Sequence, residues 1–358
     1  MGRLTRVQAQ ERTRERVLAA ARTEFLERGY RDAKIDVIAE RAELTRGAVS
    51  SNFPGKRALY LAVLAAEAEQ AAIPQVVAGT TPRTALGAFA RAWVGRLPLA
   101  TDDPDGTVPL GADLVPEVLA DERTRTPFAQ LMALDAILLG LALERMHGPS
   151  GAGRRVRAAE VALTMLHGAS QLAAAAPGFA DPFDVVSACE ELAELDLGSG
   201  RGDEWAPPHL PYVPRARPAG GPWAPPAALD AVRGEPARLA DDGVVAFLGL
   251  HRLVAVEEAV RAAPPGSVVT AVLVSSEPGE LASLARLVVA DVCRCIRQAF
   301  PESAWPGLQV VHDETGAVAA AAGERAVSDA TEAAVRIAKG RIVARADGRG
   351  ACHAAASA

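Results

Sequence analysis

The stretch Asp36–Lys56, DVIAERAELTRGAVSSNFPGK, decides how the N-terminal part of the chain folds. Its first helical pattern runs over Asp36–Ala42, and its second opens at Thr45, a residue type that caps helix N-termini. The link Glu43-Leu44 is too short for anything but a tight turn between two helices. Pro54-Gly55 then stops the second helix. The stretch therefore predicts a helix-turn-helix.

The second helix of this pair carries small polar side chains and little core of its own. A short helix with hydroxyl, amide and guanidinium groups on an exposed face fits the major groove of DNA. The structural alternative is a helical hairpin that packs inside a larger domain.

The sequence on both sides extends the pattern. RERVLAAARTEFLERGY (Arg14–Tyr30), IAERA, LTRGAV and NFPGKRALYLAVL follow one another within about the first 70 residues. In this order they resemble the DNA-binding domain of the TetR family of bacterial transcriptional regulators. The resemblance implies a repressor that acts as a homodimer, with one recognition helix per protomer in successive major grooves of a palindromic operator. The DNA-contacting positions it implies are Lys34, Thr45 and Lys56 on phosphates, Arg46, Ser50, Ser51 and Asn52 on bases, and Gly47 and Ala48 beside them.

Three positions depart from the family pattern. Glu43 stands where a turn glycine is usual, which costs strain if the backbone there needs a positive φ. Ser50 replaces an aromatic residue of the recognition helix. Lys34 replaces a phosphate-binding threonine, and it keeps the ability to reach a phosphate as a cation.

Charge is distributed unevenly along the 358 residues. Residues 1–60 hold 13 Lys and Arg against 8 Asp and Glu, a net charge of +5; since the whole chain carries −6, the remainder carries −11. A basic N-terminal region on an acidic body suits a protein that brings one end to DNA. The sequence shows no signal peptide and no membrane span, and its four cysteines have no framework spacing. We therefore expect a cytoplasmic protein without a membrane partner.

The pattern of residues 71–197 predicts an all-helical region. Its predicted helices are Arg83–Leu97, Ala112–Ala120, Thr126–Met146, Arg154–Ala176 and Pro182–Leu195. The resemblance implies that this bundle binds a small-molecule effector and that its last two helices form the dimer interface. An apolar or amphipathic effector is expected. The candidate pocket residues are Phe89, Trp93, Leu97, Met132, Ile137, Met165 and His167, all of which could equally be plain core. The candidate dimer residues are Val161, Met165, Ala169, Leu172, Val185 and Cys189.

Residues 198–227 are rich in Pro and Gly and predict a partly extended linker. The pattern then changes to apolar strands alternating with helices over residues 228–358. Strands are predicted at Val244–Leu248, Ser267–Val274, Leu308–His312, Glu332–Ile337 and Arg341–Arg345, with a long helix at Leu281–Phe300. Lys339-Gly340 predicts a tight hairpin turn. We therefore expect a multidomain fold in which two all-α domains, 1–70 and 71–197, precede an α/β domain.

The order of strands and helices in this last domain resembles a thioredoxin or peroxiredoxin domain. A redox-active member needs a nucleophilic Cys near the first strand and its helix, but Gly249–Val260 contains none. Cys293 and Cys295 point to opposite faces of one helix, and Cys352 is expected in a frayed tail. We therefore predict no enzyme activity, no cofactor and no metal site. The alternative is a thiol-based redox or peroxide sensor, or an oxidoreductase fused to a DNA-binding domain.

Overall fold

The computed structural model describes residues 6–74, 77–97, 110–111, 113–147, 153–195, 215–277 and 279–358. The helices of this part are α1 Arg6–Asp32, α2 Ile35–Arg41, α3 Arg46–Asn52, α4 Lys56–Gln70, α5 Pro82–Val94, α6 Leu114–Ala120, α7 Glu122–His147, α8 Val156–Ala175, α9 Pro182–Glu194, α10 Val256–Ala262, α11 Leu281–Ala299, α12 Ala317–Ala321 and α13 Ala351–Ala356. The strands are β1 Arg217–Pro222, β2 Leu229–Asp230, β3 Glu235–Pro236, β4 Gly243–Gly249, β5 Val268–Val274, β6 Leu308–His312, β7 Glu332–Ala338 and β8 Arg341–Asp347.

Helices α1–α4 form the head, a small domain with an apolar core of its own. Phe25, Ile38, Val49 and Tyr60 are almost fully buried in it. Gly29 interrupts the regular part of α1 with a φ of 70°, a conformation that glycine adopts without strain. The positions of α2 and α3 confirm the helix-turn-helix that the sequence predicts.

Helices α5–α9 form the bundle. Thr81 starts α5 with a capping box: its side chain accepts from the backbone N–H of Thr84, and the Thr84 side chain accepts from that of Thr81. Phe89, Leu131 and Leu138 lie in the bundle core with no exposed surface. Among the described helices, α7 is long and apolar enough to cross a membrane. However, 67% of its most apolar 18-residue window is buried in the protein, as in a core helix.

The C-terminal domain is built on a six-stranded mixed sheet in the order β1-β8-β7-β4-β5-β6. Strands β4, β5 and β6 are parallel, and β7 is antiparallel both to β4 and to β8. All seven residues of β4 are buried, because β4 lies inside the sheet and helices cover both of its faces. Lys339 and Gly340 both have positive φ, 51° and 68°, as a two-residue hairpin turn requires. The predicted α/β class is confirmed, whereas the likeness to a thioredoxin domain stays a prediction.

The C-terminal domain begins earlier than the sequence predicts. Strand β1 falls inside the predicted linker and pairs with β8 at one edge of the sheet, where proline is tolerated. Trp223 follows it into the core, and its Nε1 donates to the carbonyl of Leu239 at 2.6 Å. Residues 198–214 of the predicted linker lie outside the described part.

Helix α11 joins the C-terminal domain to both other parts of the molecule. It packs against α4, α5 and α7 as well as against the sheet, and almost every apolar residue along it is buried. The bundle and one face of the sheet thereby share a continuous core. Leu287 lies in the apolar core of the head. The third domain is thus docked along the bundle and the head.

Candidate nucleic-acid interface and effector pocket

Helix α3 presents the face that the sequence assigns to DNA. The Thr45 side chain accepts from the backbone N–H of Ala48 at 3.2 Å and so starts the helix. Val49 is buried and anchors the opposite side. Most of the predicted contact residues are exposed here: Thr45, Arg46, Gly47, Ser50 and Ser51. Ala48 and Asn52 are half-buried at the edge of this face.

Arg46 is the one predicted base-reading cation on α3. Its Nη1 lies 3.1 Å from Oδ1 of Asp36, at the start of α2. Both side chains are about two-thirds exposed, at 69% and 68%, so the pair is weak and can exchange Asp36 for another acceptor. Ser51 and Asn52 both donate to the carbonyl of Ala48, at 2.9 and 2.8 Å, and each can rotate away from it.

The two predicted phosphate-binding lysines are placed differently. Lys34 is exposed immediately before α2, where a phosphate can reach it. Lys56 is half-buried: its Nζ donates to the carbonyl of Arg31 at 2.9 Å and lies 4.7 Å from the centre of the Tyr30 ring. Lys56 is therefore tethered to the end of α1 by this hydrogen bond.

The turn between α2 and α3 has the backbone strain at Glu43 that the sequence predicts for a positive φ. Glu43 has a φ of 51°, in the left-handed region that favours glycine. Arg16 of α1 compensates by donating to the carbonyl of Ala42 and pairing with the Glu43 carboxylate at 3.3 Å. Sequence reasoning missed Arg16, because Ala42 and Glu43 are distant from it along the chain. Only the folded turn brings them into contact with it.

Residues 17–63 match the family model for bacterial regulatory proteins of the tetR family. The head is a TetR-type helix-turn-helix domain.

Over 65 residues the chain is 46% identical to each of two proteins of Pseudomonas putida, the HTH-type transcriptional regulator SrpR and the uncharacterized HTH-type transcriptional regulator TtgW. The match covers 18% of this chain, and it spans 30% of SrpR and 48% of TtgW. A solved TetR transcriptional regulator from Rhodococcus sp. RHA1 aligns over 52% of this chain and 95% of its own length, with 17% identity and a TM-score of 0.31. The two curated relatives of the TetR-type head are thus described as HTH-type transcriptional regulators.

The bundle contains an open cavity of about 480 Å³ between α6, α7 and α8, a volume that suits a small molecule. Phe128, Met132 and Leu163 give it an apolar wall, and His167 and Glu160 give it polar groups. Of the seven predicted pocket residues, Met132 and His167 line it. The other five are not among the residues that line this cavity, and they pack in or against the bundle core: Phe89, Trp93, Leu97, Ile137 and Met165.

Behind the cavity, a row of polar side chains leads from His167 to the C-terminal domain. The His167 ring meets that of Trp93 edge-on at 4.8 Å, and the guanidinium of Arg96 lies 4.8 Å from the same Trp93 ring. Arg96 pairs with Asp291 of α11 at 2.6 Å. Burial lowers the pKa of His167 to about 4, so its ring is neutral at pH 7.

Asp135 of α7 is buried close to this row. It is 1% exposed, and its Oδ1 has no hydrogen-bond partner among the described residues. Burial raises the pKa of Asp135 well above its usual range, and the charge of Asp291 adds to the effect. Sequence reasoning passed over Asp135, because nothing in a helical pattern distinguishes a buried carboxyl from a solvated one.

The predicted dimer residues divide between the surface and the core. Val161 and Leu172 of α8 are exposed at 41% and 40%, one on each side of the half-buried Met165. Val185 of α9 is half-buried. The remaining two, Ala169 and Cys189, are buried within the protomer. Phe179 and Phe183, which sequence reasoning missed, are the most exposed aromatic side chains next to α8 and α9, at 74% and 80%.

All four cysteines are buried and reduced. Cys352 lies inside α13, so the expectation of a frayed tail is wrong. Burial raises the pKa of Cys189 to about 12 and raises the pKa values of Cys293, Cys295 and Cys352 as well, which is the opposite of an activated thiol. Within the described ranges, no group of three His, Cys, Asp or Glu side chains could hold a metal ion.

Proposed function

We propose that the chain is a ligand-responsive transcriptional repressor of the cytoplasm that binds a palindromic operator as a homodimer. The observation that carries the proposal is the exposed polar face of α3 on a TetR-type head. In this proposal Lys34 and Thr45 contact phosphates, and Arg46, Ser50, Ser51 and Asn52 contact or support base edges.

The second part of the proposal concerns the effector. A mostly apolar small molecule would occupy the bundle cavity, where His167 offers a neutral ring nitrogen as its polar partner. Val115 of α6 lines this cavity, and on the same helix Glu117 accepts a hydrogen bond from the hydroxyl of Tyr30 in the head. Because α6 contacts both sites, an occupant that shifts α6 would change the position of the head and favour a spacing that no longer fits the operator.

The third part concerns assembly. Val161, Leu172 and Phe183 expose apolar surface on α8 and α9, which supports a protomer interface across these two helices. Dimers would bring two α3 helices to one palindromic site. The charged substitution Leu172→Glu should give monomers in sedimentation and weaken operator binding together, while Val343→Glu on the sheet should change neither.

The decisive experiment is binding of the purified protein to its own upstream promoter DNA at fixed salt, with thiols reduced and then oxidised. Saturable binding that ignores the thiol state is the expected result. Loss of binding on oxidation would favour the alternative of a thiol-based sensor, against which the burial of all four thiols argues. We propose that the C-terminal domain has no enzymatic role and instead supports and regulates the head.

A further inference from the structure

A second cavity of ligand size lies in the C-terminal domain, outside the bundle. It has a volume of about 550 Å³ and sits at the carboxyl end of β6, between α11, the β2–β3 hairpin and the loop that leads to α12. Ligands of open α/β sheets commonly bind beyond the carboxyl ends of parallel strands. Leu229, Ala290 and Val318 supply apolar wall, and polar groups lie at both ends.

Arg297 is the distinctive group of this cavity. Its Nη1 donates to the carbonyls of Ala231 and Val232, both at 2.9 Å, which fixes the guanidinium at the cavity wall. Across the part of the chain that the structure describes, no carboxylate lies within ion-pair distance of Arg297. A fixed guanidinium with unused N–H groups, no counter-ion and an apolar surface beside it is a site for an anion.

The other arginine of the cavity, Arg286, is in the opposite situation. It lies on the same helix, α11, and is paired twice, with Glu69 at 2.8 Å and with Glu314 at 3.1 Å. His312 lies between the domain core and the cavity, and burial together with the charge of Arg286 lowers its pKa to about 4. A ligand therefore meets one unpaired cation at the Arg297 end. At the other end it meets a neutral ring beside an acidic cluster, in which Glu69, Asp313 and Glu314 outnumber Arg286.

We propose that this cavity binds an amphipathic organic anion, whose carboxylate or sulfonate group pairs with Arg297 and whose apolar body lies along Leu229, Ala290 and Val318. The site is separate from the effector cavity of the bundle, with which it shares no residue.

The site also touches the helix that leaves the head. Glu69 belongs to the last turn of α4 and forms part of the cavity wall through its pair with Arg286. An occupant therefore lies against the link between the C-terminal domain and α4. A regulatory consequence for DNA binding rests on the proposed function, whereas binding of the anion does not.

The test compares two fluorescent probes of nearly the same shape, anilinonaphthalene sulfonate and the uncharged N-phenylnaphthylamine, titrated into the full-length protein. Arg297→Met should weaken sulfonate binding about tenfold or more, the worth of a charge-assisted hydrogen bond, and change binding of the uncharged probe less than about twofold. Arg297→Lys should restore part of the difference. Ala290→Trp, which fills the cavity, should remove binding of both probes there. Ala133→Phe in the bundle cavity should leave this sulfonate site intact.

Unchanged sulfonate affinity in both Arg297→Met and Ala290→Trp would overturn the site, and circular dichroism melts check that each variant folds. If Arg297→Met fails to fold, Ala290→Trp decides alone.

The consequence for the head is measured separately, as operator affinity with and without the sulfonate in wild type and in Arg297→Met. An effect confined to wild type is expected. No effect would overturn the link through Glu69, and no DNA binding under any condition would overturn the proposed function while leaving the anion site standing.

Discussion

Arg57 of the TetR-type head and Glu280 of the C-terminal domain form an ion pair, with 2.5 Å between Nη2 and Oε1. The same guanidinium pairs with Asp121 at the start of α7, at 2.6 Å. One side chain of the head is thus held by both other parts of the molecule. The position of the DNA-binding helices is therefore set jointly by the bundle and by a domain more than two hundred residues further along the chain.

Leu287→Ala should lower the free energy of unfolding by about 2–4 kcal/mol, because the side chain is 5% exposed and lies in the core of the head. Urea denaturation checks this value. Val343→Ala is the control: that side chain is 39% exposed on β8, so its loss should cost well under about 1 kcal/mol. Similar small losses in both variants would contradict the docking of α11 on the head.

Arg46→Ala should weaken operator binding by about 1–3 kcal/mol, the usual worth of a guanidinium contact to a base. Asp36→Asn should strengthen binding, because it releases Arg46 from its only carboxylate partner among the described residues and removes a negative charge from the DNA face. Fluorescence anisotropy at fixed salt measures both. Arg83→Ala removes an equal charge from the remote, exposed pair with Glu191, and it should have no effect on DNA affinity.

Glu43→Gly should raise the free energy of unfolding by up to about 1 kcal/mol, since a side chain at a φ of 51° is strained and glycine is not. The matched substitution Glu40→Gly, inside α2, should lower it by about 1 kcal/mol. Thermal denaturation distinguishes the two. Destabilisation by Glu43→Gly would instead show that the contacts with Arg16 outweigh the strain.

Thiol labelling of the native protein should be slow at all four cysteines, because each is buried and each has a raised pKa. Labelling at neutral pH with a chromogenic disulfide, before and after denaturation, gives the comparison. One thiol that reacts in the native state as fast as in the denatured state would revive the redox alternative.

Asp135→Asn should stabilise the protein more as the pH rises. The folded-state pKa of Asp135 is raised, so this carboxyl favours folding fully only below its unfolded pKa of about 4 and disfavours folding increasingly as the pH rises towards its folded pKa. The asparagine variant does not titrate. Free energies of unfolding at about pH 5 and about pH 8 should therefore differ more between variant and wild type at the higher pH. An equal difference at both values would mean that Asp135 is ionised in the folded protein.

Local sequence patterns were sufficient for most of the helices and for strands β4–β8, but not for β1, which falls inside the predicted linker. The apolar run Leu308–His312 became β6 without change, and Thr45 caps α3 as its residue type predicts. These features depend on neighbours within a few positions along the chain, and sequence patterns record such neighbours directly.

Features that depend on distant contacts were not predictable in the same way. The amphipathic pattern of α11 predicts that its apolar face is buried, but it does not predict that Leu287 packs into the core of the head. The sequence predicts a phosphate contact for Lys56, and only the fold shows Tyr30 and the carbonyl of Arg31 beside it. Trp93 and Ile137 are of residue types that often line pockets, but they pack in the core. Residue type alone does not say which side of a helix faces a cavity.

The place of Leu287 in the core of the head also bears on the order in which the protein is made. A ribosome completes α1–α4 long before it reaches α11, and domains usually fold in the order of their synthesis. Here the first domain emerges with part of its apolar core uncovered, and it stays so until the C-terminal third of the chain follows. The nascent head therefore lacks the Leu287 contact until α11 has been synthesised.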